Sequence, residues 1–170
     1  MNENRKTISE VLFIKEKFKD NLGMSLAVGL ITAIWFFLAD IIGVHPWAGF
    51  LGWSIFFFAG ADVEAAKKTL PPIIIGPLLA YLTVYGQAVF GSSVMMVAFI
   101  AFLLGFIITI LQVFTLFEVA GATFVSANVY FASMSLYHSI VGVALGLILG
   151  LVSVKLSALF DELIFGKNDK

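Results

Sequence analysis

From Leu70 to Leu116 the chain carries no Asp, Glu, Lys or Arg. A water-soluble core needs no uncharged run of that length, whereas a helix crossing a hydrocarbon layer about 30 Å thick needs roughly 20 apolar residues. The run is long enough for two such helices. Composition carries the point to the rest of the chain, which is 61% hydrophobic and 12% charged, against about 45–50% and about 25% in soluble domains. The fold class expected is an all-α membrane protein whose first partner is the lipid bilayer. Cysteine is absent, which excludes disulfides, thiolate metal sites and cysteine nucleophiles. A net charge of -1 gives no support for nucleic-acid binding.

Six segments meet the length and polarity of membrane helices, near residues 22–42, 46–61, 70–90, 93–116, 119–136 and 138–160. The second and fifth are short. Pro46 suits a first helical turn; Pro71 and Pro72 suit the start of the third segment, where Pro77 must bend the helix or free a carbonyl. Ahead of the membrane domain, 21–160, residues 1–20 read as a cytoplasmic interfacial helix. There Thr7 and Glu10 have the spacing of a capping box, and Ile8, Val11, Leu12 and Phe18 form an apolar stripe beside Lys15, Lys17 and Lys19. Residues 161–170 form a cytoplasmic tail.

Lysine and arginine set the orientation. With a cytoplasmic N-terminus and six crossings, Arg5, Lys6, Lys15, Lys17, Lys19, Lys67, Lys68, Lys167 and Lys170 all fall inside, and Lys155 can snorkel there. The outer loops near 43–45, 91–92 and 137 hold no lysine or arginine. Both termini are therefore expected in the cytoplasm.

The stretch Pro46–Gly60 has an echo 74 positions later, since position 48 falls on 122. Ala48 meets Ala122, Phe50 meets Phe124, Gly52 meets Ser126, Ser54 meets Asn128, Phe56 meets Tyr130 and Phe57 meets Phe131. Gly76 falls on Gly150 in the same register. Three crossings separate each position from its echo, and an odd number inverts the second copy, so two inverted three-helix repeats are expected.

The run Trp47-Ala48-Gly49-Phe50-Leu51-Gly52 with Phe58-Ala59, and the later Gly121-Ala122-Thr123-Phe124 with Phe131-Ala132, resemble the YcdZ-type family of small bacterial inner-membrane proteins. The similarity covers about Gly23 to Leu159 and departs from the family's motif at Gly121, a position given to proline. The resemblance implies a multi-pass protein of the bacterial inner membrane and carries over no catalytic residue.

Ser54 and Asn128 fall near the middle of their segments, where a polar side chain is costly unless it meets a polar partner. Serine offers one donor and two acceptor sites, and asparagine both a donor and an acceptor. They are the expected centre of a site for a small uncharged solute, with Ser126 beside them and Trp53, Phe57, Tyr130 and Phe131 as aromatic constrictions, joined by Phe56 and Phe124. The alternative for Ser54 and Asn128 is hydrogen bonding between helices. His45 and Glu118 precede the second and fifth segments and read as pore mouths on opposite sides, or as ordinary interfacial polar residues. Asp40 and His138 belong to the outer interface.

Gly142, Gly146 and Gly150, and Ser25, Gly29 and Ala33, recur every four residues as helix-contact faces, within the chain or between copies. No G-x-S-x-G, H-E-x-x-H or phosphate loop is present, nor a spaced set of metal ligands. Carboxylates are missing at depth, which argues against proton-driven transport. The chain therefore reads as a non-enzymatic, homo-oligomeric passive channel or facilitator for a small uncharged polar solute, with no cofactor. The competing reading is a non-transporting scaffold that recruits a partner through its N-terminal segment.

Overall fold

The computed structural model describes residues 2–166, with side chains from Glu10 onward. Arg5, Lys6, Lys167, Lys170 and the Thr7 side of the capping box lie outside the described side chains. Among the described residues the fold is helical throughout. Helix α1 is Asn2–Ile42, α2 Pro46–Ala59, α3 Val63–Phe90 and α4 Val94–Ile110. Two single 3-10 turns, Leu111–Val113 and Thr115–Phe117, lead to α5, Ala120–Ser133. A π-helical turn, His138–Gly142, opens into α6, Val143–Phe165.

Four stretches are long and apolar enough to cross a membrane: Glu10–Ile42, Val63–Phe90, Val94–Val113 and His138–Phe165. Helices α2 and α5 have 14 residues each. At 1.5 Å per residue each is about 21 Å long, shorter than the bilayer core. Helix α4 buries only Ile108 and otherwise presents apolar side chains outward, as a lipid-facing helix does.

The third helix starts earlier than its prolines suggest. Asp62 caps it by accepting the Ala65 amide at 2.6 Å, and Glu64 adds negative charge to its first turn. Pro71 and Pro72 therefore lie inside α3 together with Pro77, rather than at its start. Each lacks the amide that would bond four residues back, which leaves the carbonyls of Lys67 and Lys68 without that donor. The cap, and the Thr69 hydroxyl on the carbonyls of Ala65 and Ala66, hold the preceding turns.

The chain divides into two compact units. In the first, made of residues up to Ile34 and from Val152 on, Gly23 lies against Asp161 and the Ser157 carbonyl so closely that no side chain would fit. Ser25, Gly29 and Ala33 are exposed, and among the described residues nothing lies beside Gly29, so that small-residue face is not packed as a helix contact.

The second unit, Trp35–Leu151, holds both copies of the echoed motif. Helix α5 packs on α3. Lys68 pairs with Glu118, Ser126 Oγ donates to the Pro72 carbonyl at 3.3 Å, and Gly76 lies against Thr123, Ser126 and Ala127. Ala80, Ala127 and Tyr130 then form a core with Val84 and Leu136. Numbers rise together along both helices, so α3 and α5 are parallel.

Helix α2 packs on the start of α6 in the same sense. Gly142 lies against Val44 and Ala48, Gly146 against Gly49, Gly52 and the Trp53 amide, and Gly150 against Phe56. Backbones approach this closely only because glycine presents no Cβ at Gly52 and Gly146. Trp35 covers Gly49 and donates its indole N–H to the Pro46 carbonyl at 2.8 Å, which ties the end of α1 to the start of α2.

Candidate functional site

The bounds of α2, moved 74 positions (46 to 120, 59 to 133), coincide with those of α5. The buried residues coincide as well. Helix α2 buries Ala48, Gly49, Gly52, Trp53, Ile55 and Phe56, and α5 buries Ala122, Thr123, Ser126, Ala127, Val129 and Tyr130. The two helices therefore pack on one pattern, and the facet left outward is the same in each.

The residues expected to line one site divide along that facet. Trp53, Ser126 and Tyr130 are buried. Ser126 bonds the carbonyls of Pro72 and Thr123, so its hydroxyl joins α5 to α3. The ring of Tyr130 stands edge-on to Tyr81, and the indole of Trp53 stacks on Phe50 with its N–H buried and unpartnered. Ser54, Phe57, Asn128 and Phe131 face outward. Phe56 is fully buried and Phe124 is 40% exposed.

The Ser54 hydroxyl is satisfied within its own helix, donating to the Phe50 carbonyl at 2.9 Å. Among the described residues nothing accepts from or donates to the Asn128 side chain. No hydrogen bond joins it to Ser54. Between apolar neighbours an amide without a polar partner is costly.

The two mouth residues lie at opposite ends of the α2–α5 pair. Glu118 Oε1 is 2.9 Å from Lys68 Nζ, with both side chains nearly half exposed. His45, at the start of α2, stacks on His138 with ring centroids 4.1 Å apart, and Trp47 stacks on its other side at 5.7 Å. Near His138, the hydroxyls of Ser133 and Ser139 lie 3.3 Å apart, so the start of α2 is beside the end of α5. The two echoed helices thus run in opposite directions. The reading of charge alone puts His45 and His138 on one side and Lys68 and Glu118 on the other, but the direct pairings are long-range and leave no local trace in the sequence. Among the described residues no group of three His, Asp or Glu side chains could hold a metal ion.

No solved structure matches the chain. It is similar to the inner membrane protein YcdZ of Escherichia coli (strain K12), with 26% identity over 136 residues, covering 76% of this chain and 80% of that protein. The motifs that carry the resemblance, Trp47–Gly52 and Gly121–Phe124, lie in the two helices that pack on a common pattern. A family model matches residues 25–160, and on that match the chain belongs to the DUF1097 family of proteins of unknown function.

Proposed function

We propose that the protein is a passive facilitator for small uncharged polar solutes in the bacterial inner membrane, and that solutes pass between copies of the chain along the outward facet of α2 and α5. The observation that carries this reading is Asn128, an exposed amide without a partner midway along an apolar helix. Its equivalent, Ser54, is the other polar group on that facet. Neither helix contains a charged residue, so nothing in them compensates the desolvation of an ion. Phe57 and Phe131, three residues after Ser54 and Asn128, are exposed on the same facet and suit an apolar lining.

Six crossings with cytoplasmic termini fit this reading. Helix α2 lies along the membrane-long stretch His138–Phe165 from His45 beside His138 to Phe56 beside Gly150, about half of that stretch. The parallel α3–α5 and α2–α6 pairs, with α2 opposed to α5, support two inverted repeats. Location in the inner membrane draws on the E. coli relative and on the apolar helices. Purified protein in liposomes, challenged with urea, short amides or glycerol in a stopped-flow swelling assay, is expected to exceed empty liposomes for at least one of them. Equal rates for all would favour the second reading, recruitment of a partner. That reading draws on the charged stretch from Glu10 to Asp20, where every side chain is exposed.

A further inference from the structure

The segment from Ser133 to Gly142 gathers several features that ordinary helix joints lack. Met134 adopts a left-handed conformation at φ 51, unusual for a residue with a side chain. The helix resumes through a π turn, His138–Gly142, a form found mostly as single turns and often at functional sites. His138 Nδ1 is buried without a hydrogen-bond partner. Its ring stacks on His45 at 4.1 Å and receives the edge of Tyr137, whose hydroxyl donates to the Ile42 carbonyl at 3.0 Å. The His45 ring, at the start of α2, thus meets the first residue of the π turn.

We propose that the His45–His138 stack is an acid-sensitive latch: it holds the start of α2 against the π turn while at most one ring is charged, and releases it when both are protonated. Histidine is the side chain whose ordinary titration, near pH 6.5, falls in the physiological range. Two neutral rings, or one neutral and one charged, stack favourably. Two imidazolium ions at this separation repel, and no anion is placed to offset them. Among the described residues the only salt bridge is Lys68–Glu118, which involves neither ring.

The other titratable groups at this end are few. Helix α1 contributes Asp40, exposed and in no ion pair. The joint contributes Tyr137, α5 contributes Tyr130, and the later half of α3, whose helix packs on the π turn, contributes Tyr81 and Tyr85. Helices α2 and α6 add no charged side chain in this unit. Tyrosine stays neutral through the range in question. The switch therefore belongs to the two imidazoles.

The test is hydrogen–deuterium exchange by mass spectrometry on full-length protein in nanodiscs, at pH 7.5 and pH 5.5, corrected for intrinsic exchange. Peptides covering Val44–Gly49 and Tyr137–Gly142 are expected to exchange at least about tenfold faster at the lower pH, while α3 peptides near Gly76 do not change. His45→Phe keeps a stacked ring and allows only one charge, so the acid response should vanish. His138→Phe should do the same from the other side, so the proposal does not depend on one variant folding. Acid-induced opening that persists in His45→Phe, or wild-type exchange that is the same at both pH values, overturns the latch. The measurement uses no transport readout and stands apart from the solute reading.

Discussion

Lys68 and Glu118 form an ion pair at 2.9 Å, and the positions 74 residues from each, Gly142 and Val44, also touch. The contact of Pro72 with Ser126 maps in the same way onto that of Gly146 with Gly52. In each of these pairs of contacts, the second joins the positions of the first moved by the same 74 residues. The chemistry differs between the two ends: an ion pair closes one joint, and glycine on valine with stacked histidines closes the other.

Gly146 should tolerate no side chain. A Cβ there would run into the Gly49 carbonyl, the Gly52 backbone and the Trp53 amide, which cannot give way as a flexible side chain can. Gly146→Leu should cost about 3 kcal/mol, the upper end of what overpacking usually costs, or prevent folding. Gly29→Ala, which meets open space, should melt with the parent. Thermal unfolding in detergent compares the two, and a stable Gly146→Leu variant would contradict the α2–α6 packing.

The ends of α3 and α5 allow a comparison of a cap with an exposed ion pair. Asp62→Ala removes the 2.6 Å bond to the Ala65 amide and should lower stability by about 1 kcal/mol. Glu118→Gln breaks an ion pair between nearly half-exposed side chains and should cost less than loss of the cap, with little of the effect left at high salt. Denaturation of both variants at low and high ionic strength tests the ranking. A larger loss for Glu118→Gln would show that the pair is more shielded from water than its exposure indicates.

Topology can be read without background because the chain has no cysteine. A membrane-impermeant thiol reagent applied to intact cells should label Ser92→Cys and spare Lys67→Cys, which should react only after permeabilisation. Labelling of Lys67→Cys from outside would remove the six-crossing arrangement and with it the inverted repeat.

Much of this fold is legible in the sequence because small residues and aromatics recur in one register. Ala48, Gly52 and Phe56, and their equivalents Ala122, Ser126 and Tyr130, are the residues on which α2 and α5 pack. The glycine series Gly142, Gly146 and Gly150 likewise marks a close helix contact. The facing of Ser54 and Asn128 is not legible, for a physical reason. A helix in lipid is apolar on all sides, so hydropathy does not separate a face packed on protein from one turned outward. Ser25, Gly29 and Ala33 have the spacing of Gly142, Gly146 and Gly150 and still lie exposed. The prolines mislead through their strength as local signals: Pro71 and Pro72 look like a helix start, while the residue that starts α3 is Asp62, nine positions before Pro71 (71 minus 62).

The most direct test of the solute reading is permeation through protein carrying Asn128→Leu. Leucine keeps bulk and helix propensity and removes the one side-chain amide exposed on α5. Stopped-flow swelling of liposomes with a solute the wild type passes should fall to the rate of empty liposomes, while circular dichroism and the melting temperature stay at wild-type values. Ser54→Ala should slow the flux less, because that hydroxyl is already bonded to the Phe50 carbonyl. Wild-type flux through Asn128→Leu would contradict the account, leaving Asn128 as a contact between copies and the path for solute elsewhere.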